Sequence, residues 1–329
     1  MLAFGWVPFY LWVALYPLEQ AIHLALIVAL ALNFLHRHYV LLLVYGDRDV
    51  FGERPRAYVV APLVAFAVVA TLALSGLPAG KAVLIGALGT WNVWHVIQQR
   101  YGLLRAYAAR ARGGLETREA SRRDLRLLWA AVLVTAPLVV LGQREVLESR
   151  PEAEPVLAVI GPWLAPRFLV AVAAACAVLF AIALVAWARG EARARPLARL
   201  PRYVFLASTF ALLGVFVAHG PVVGYLVFGV AHSVEYLAFV HHFGERKYKG
   251  SAGTVAARIL GDIRRAPLLL APLFVAYLLL HAHRLSLAYI TYFSTTSALH
   301  YLYDGWIWRL RQPKVAEPLV GPAASATRA

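Results

Sequence analysis

Four stretches of the chain combine imidazoles with acids or amides: His36-Arg37-His38, His95 with Gln98 and Gln99, His232 to His242 with Glu235 inside it, and His300 with Asp304. Imidazole with carboxylate suits Fe, Zn or Cu, whereas Mg and Ca prefer shells of oxygen. On a helix, His232 and Glu235 are three apart and share a face. His242 returns to that face two turns later, and His241 points elsewhere. His300 and Asp304 give the same pairing at one full turn. His36 and His38 are about 200° apart on a helix, so an undistorted helix turns only one of them to a common centre. The expected ligands are therefore His36 or His38, His95, His232, Glu235, His242, His300 and Asp304. Gln98, Gln99 and His241 are expected to hydrogen-bond the ligands, an arrangement that fixes a ligating ring. Glu235 and Tyr236 are the candidate catalytic groups.

These residues sit in apolar surroundings. Of 329 residues, 61% are hydrophobic and the mean hydropathy is +0.66, well above the 45–50% apolar content usual for soluble domains. The chain reads as an all-α, polytopic membrane protein. Apolar runs predict spans near 2–16, 20–45, 57–76, 82–106, 127–142, 168–188, 203–217, 221–243, 266–281 and 287–309. The count is ten if residues 1–16 cross and nine if they do not. The N-terminal run lacks a basic flank and a small-residue cleavage site, so it reads as a retained span or anchor. One helical domain over 1–311 is expected, followed by a loose tail over 312–329. Cys176 lies in an apolar span and reads as a buried, inert thiol.

The net charge of +15 does not indicate nucleic acid, because the basic residues fall in short loops between spans. Loops on alternate sides carry 26 and 5 Lys or Arg. The positive-inside rule puts the richer side, with the C-terminus, in the cytoplasm. The Arg-, Ala- and Leu-rich composition fits a bacterial inner membrane. Counted from the outer ends of their spans, His36, His95, His232 and His300 all lie about 18–21 Å deep. Four helices thus carry an imidazole at one level, in the cytoplasmic half of the membrane. His23, His219, His281 and His283 lie near outer ends and read as interfacial. Tyr45, Tyr101, Tyr236, Tyr301, Trp306 and Trp308 are expected to form an aromatic belt.

His36-Arg37-His38, His232-Ser233-Val234-Glu235, Val240-His241-His242 and His300, carried by several membrane helices, resemble the plan of the membrane-bound di-iron oxygenases. These include fatty acid desaturases, sterol and fatty acid hydroxylases and alkane hydroxylases. Glu235 and Asp304 would here stand in for histidines of the usual boxes. The resemblance implies a di-iron centre and O₂-dependent hydroxylation or desaturation of a lipid or other hydrophobic substrate. It also implies an electron donor, and the basic cytoplasmic face fits an acidic one. Membrane lipids are the remaining expected partners. A zinc-dependent lipid hydrolase using His95, His232 and His300 is the second reading. A haem b protein with two axial histidines and a proton-coupled transporter are further ones.

Overall fold

The computed structural model describes residues 3–16, 18–75, 78–112, 117–148, 165–192, 196–251, 253–284, 286–310 and 312–320. All regular structure among them is helical. The helices are α1 (Val7–Leu15), α2 (Leu18–Gly46), α3 (Arg48–Glu53), α4 (Pro55–Leu74), α5 (Pro78–Arg112), α6 (Arg118–Glu148) and α7 (Pro166–Glu191). They continue as α8 (Pro196–Lys247), α9 (Val255–Leu260), α10 (Ala266–His281), α11 (Leu287–Ile307) and α12 (Pro313–Val320), with a 3₁₀ turn at Ile263–Arg265. Lipid leaves backbone groups no external partner, so helices are the form that long apolar runs take.

Among the described residues, six helices are long and apolar enough to cross a membrane, and the protein is an integral membrane protein. One of the six, Leu200–Lys247, covers 48 residues, enough for two crossings at about 20 residues each. The sequence reading of nine or ten spans differs from this number for a physical reason. The stretches at 82–106 and 287–309 lie on α5 and α11, but the polar residues on these helices, from His95 to Arg100 and from Thr291 to Asp304, dilute the apolar windows.

The bend inside α8 falls at Gly220, whose φ of +78° and ψ of 177° are open to glycine alone. Pro221 follows it. A proline disfavours helical backbone in the residue before it and removes a donor from the ladder.

The all-α polytopic fold is as expected, and the chain divides into two compact units. The first comprises Ala3–Ala21 and Leu103–Phe228. Here α6 packs against α7, and a buried polar knot ties helix ends together. Arg202 pairs with Asp124 and, at 2.6 Å, with Glu191, while the Trp187 indole donates to Asp124 at 2.9 Å. His219 meets the Tyr10 hydroxyl at 2.9 Å. Cys176 is half-buried, more open than its apolar context implied.

The second unit comprises Ile22–Gly102 and Gly229–Ala329. Here α11 packs against α4, and Phe34 of α2 packs on Tyr277 of α10. Asp47 caps α3 by accepting from the Asp49 and Val50 amides, and it also receives Lys247 and Tyr248. The stretch from 313 is not a loose tail as far as 320. It forms α12, whose Val315, Ala316 and Leu319 are buried. Lys314 pairs with Glu53, and Arg246 donates to the Pro318 carbonyl at 3.1 Å. Residues 321–329 lie outside the described residues.

Candidate metal centre

All residues of the site belong to the second unit. α2 supplies His36, α5 His95, α8 His232, and α11 both His300 and Asp304. Each is at most 6% exposed. The four rings pack against one another. Ring centres are 4.9 Å apart for His36–His232, 4.6 Å for His36–His300, 5.2 Å for His95–His232 and 4.7 Å for His95–His300. His232 and His300 are the widest measured pair, at 6.1 Å.

These spacings have a simple interpretation. With metal–nitrogen bonds of about 2.1 Å, ring centres lie about 3.2 Å from an ion, so neighbouring rings stand about 4.5–5.2 Å apart and opposite rings about 6.4 Å. The four short distances match neighbours, and the long one matches a nearly opposite pair. Two overlapping groups of donors, His36/His232/His300 and His95/His300/Asp304, each keep their ligand atoms within 4.8 Å of one another.

The nitrogens themselves fit an ion. His95 Nε2 and both ring nitrogens of His232 and of His300 are buried without a hydrogen-bond partner. An unsatisfied buried polar group costs about 1–3 kcal/mol, so five of them on three converging rings need a reason. His36 is oriented differently. Its Nδ1 lies 3.1 Å from the Leu32 carbonyl, which can only accept, so Nδ1 carries the proton and Nε2 is left with its lone pair. Ser233 Oγ, 3.0 Å from the same Nδ1, steadies the ring.

Asp304 is held from behind. Its Oδ1 accepts from the Tyr236 hydroxyl at 2.7 Å and from the Trp308 indole at 2.9 Å. Its Oδ2 faces His95 Nε2 and His300 Nε2, at 3.7 Å from each. Supporting donors of this kind fix a ligating carboxylate.

Several expected ligands stand elsewhere. Glu235 turns its carboxylate to Arg100, whose Nη2 lies 3.0 Å from both oxygens, so its charge is already matched. His38 uses both nitrogens, with Phe34 O at 2.6 Å and the Tyr292 hydroxyl at 2.7 Å. The opposed directions of His36 and His38 follow from their two-residue spacing. His242 is half-buried and belongs to neither donor group. His241 meets the Tyr39 hydroxyl at 3.1 Å rather than a ligand. Neither Gln98 nor Gln99 hydrogen-bonds a histidine, and Gln99 Oε1 is buried without a partner. Tyr236 is fully buried on Asp304 and so is not part of an interfacial belt, whereas Trp308 is half-buried at the end of α11. Tyr301 stacks on His95, with ring centres 4.8 Å apart.

Sequence reasoning missed Ser233 and Arg100 as members of this site. Ser233 follows His232 directly, and its neighbour was the only signal. Arg100 was counted with a basic loop, although α5 runs on to Arg112.

A haem does not fit these rings. With His232 and His300 as the opposite pair, His36 and His95 occupy the belt between them, where the macrocycle would lie. No family model, no curated protein and no solved structure matches the chain.

Proposed function

We propose that the protein is a membrane-embedded metalloenzyme that holds one transition-metal ion, iron by choice, between His36, His95, His232, His300 and Asp304. Its reaction is the O₂-dependent oxidation of a hydrophobic substrate, as the resemblance to membrane oxygenases implies. The observation that carries this reading is that three buried, neighbouring histidines, His95, His232 and His300, each hold a ring nitrogen without a hydrogen-bond partner, and an ion takes one nitrogen from each ring. Five donors support one ion. Di-iron carboxylate bundles use about six, four of them glutamates, and here Glu235 is engaged by Arg100. The proposed centre holds a single iron, where the resemblance implies two.

Iron in an imidazole and carboxylate site supplies O₂ chemistry when bound. The chain's own residues do the rest. Leu32 and Ser233 aim His36. Tyr236 and Trp308 hold Oδ1 of Asp304, which leaves Oδ2 directed at the centre. The Tyr236 phenol keeps its proton on its own oxygen and donates it as a hydrogen bond to Asp304 at 2.7 Å. Arg100 and Glu235 keep a charge pair beside the site without altering its net charge. Burial of every donor excludes bulk water, which protects a reactive centre from side reactions. The enzyme works at the cytoplasmic side of a bacterial inner membrane and takes electrons from an acidic donor protein on its basic face.

Metal analysis of detergent-purified protein tests the reading. The expected result is about one iron per chain, falling to near zero in His232→Ala and His300→Ala while His38→Ala and His242→Ala keep it. Zinc at the same stoichiometry would favour the hydrolase, and an empty wild-type protein that cannot be loaded would end the metalloenzyme reading.

A further inference from the structure

Arg37 lies between His36 and His38 on α2 and is 2% exposed. It is about 22 Å from the start of its span at Ile22 and about 14 Å from the end at Gly46, at 1.5 Å per residue. Its Nε donates to the Asn33 carbonyl at 2.8 Å. Its Nη1 donates to the Phe293 carbonyl at 2.8 Å and to the Ser297 hydroxyl, with Thr296 Oγ1 at 3.5 Å. The Phe293 ring covers the guanidinium at 3.6 Å. Every one of these acceptors is neutral. Among the described residues no carboxylate pairs with Arg37, and its Nη2 is buried without an acceptor.

A guanidinium does not lose its proton in proteins, and arginines within membrane spans almost always pair. The neighbourhood makes the charge harder to bear. Glu235, the nearby carboxylate on α8, is already matched by Arg100, and a metal ion at the proposed centre would add further positive charge. The Tyr289 and Thr295 hydroxyls on α11, the helix that carries Phe293 and Ser297, are also buried without partners. Phe293 is half-exposed and Tyr292 is exposed, so the cover over Arg37 is thin on that side. The missing partner is therefore a single negative charge, reached at a depth where apolar chains lie.

We propose that Arg37 binds the carboxylate of a hydrophobic acid and so holds an acyl chain beside His36 and His300. The binding stands on Arg37 alone; the oxidation of that chain rests on the metalloenzyme reading. Radiolabelled palmitate, with hexadecanol as competitor, tests it on the purified full-length protein in detergent. Palmitate should bind to the wild type, hexadecanol should not compete, and Arg37→Gln should bind at least about tenfold more weakly with its metal content unchanged. Arg37→Met gives a second measurement, read as the shift that ligand causes and not as absolute stability, because the hydrogen bonds to Asn33, Phe293 and Ser297 are lost with the charge. Palmitate should raise the unfolding temperature of the wild type but not of this variant. Equal palmitate binding by Arg37→Gln, equal competition by hexadecanol, displacement by chloride alone, or an equal palmitate-induced shift in Arg37→Met would each overturn the proposal. A protein that binds palmitate but no metal would sink the metalloenzyme reading and leave this one standing; the reverse pattern would do the opposite.

Discussion

Asp304 gives one oxygen to Tyr236 and Trp308 and turns the other towards His95 and His300. If Oδ2 is a ligand, weakening the hold on Oδ1 must weaken the ion. Tyr236→Phe removes the shorter of the two hydrogen bonds without changing the ring. Its metal affinity should fall by about tenfold or more, read by competition with a soluble chelator; an unchanged affinity would remove Asp304 from the ligand set. The Arg100–Glu235 pair makes a different prediction. Breaking a buried ion pair by removing one partner costs about 3–5 kcal/mol, while an apolar replacement of both can be neutral. Arg100→Met should therefore lose most of that amount in denaturant unfolding, and Arg100→Met combined with Glu235→Leu should recover most of it. Equal losses in the single and double variants would show that the pair is not what holds these two helices.

At the level of elements, the bend at Gly220 and the cap at Asp47 carry the clearest consequences. A Cβ on Gly220 would lie 2.6 Å from the Gln143 amide group, and the backbone there is one that side chains avoid. Gly220→Ala should destabilise by about 1–3 kcal/mol, seen as a lower unfolding temperature in detergent. Asp47 is a junction as well as a cap. Burial pushes its carboxyl up, but the Lys247 and Tyr248 hydrogen bonds outweigh this and hold it below the usual carboxylate range. A lowered carboxylate stabilises the fold above the unfolded value and loses that contribution as pH falls through the folded one. Wild type should therefore lose stability below about pH 4 through this group, and Asp47→Ala, already short of about 1 kcal/mol of capping, should show less of that acid dependence.

The helices were legible because apolar runs and the basic loops between them mark their ends. The convergence of His36, His95, His232 and His300 could be argued from equal depth and helical phase. Their partners could not. Phase put Glu235 on the face of His232, but only packing decides that Arg100 on another helix claims it. The amphipathic pattern of 313–320 is short and contains Pro318, so composition alone could not separate α12 from a loose end.

Across the whole molecule, the donors come from four helices that are far apart in sequence, α2, α5, α8 and α11. An ion bound by the folded chain and not by the unfolded one stabilises by about 2.7 kcal/mol at a hundred times its dissociation constant. Chelator-stripped protein should thus unfold at a lower temperature than loaded protein, and His300→Ala should show no difference between the two conditions. The order of the donors along the chain also bears on how the protein is made. His36 leaves the ribosome 264 residues before His300, so a nascent chain carries imidazoles into the bilayer long before the last two donors exist. On the metalloenzyme reading, loading would wait for the final long helix to be inserted, because a translation product that stops ahead of Leu287 lacks His300, which both donor groups share.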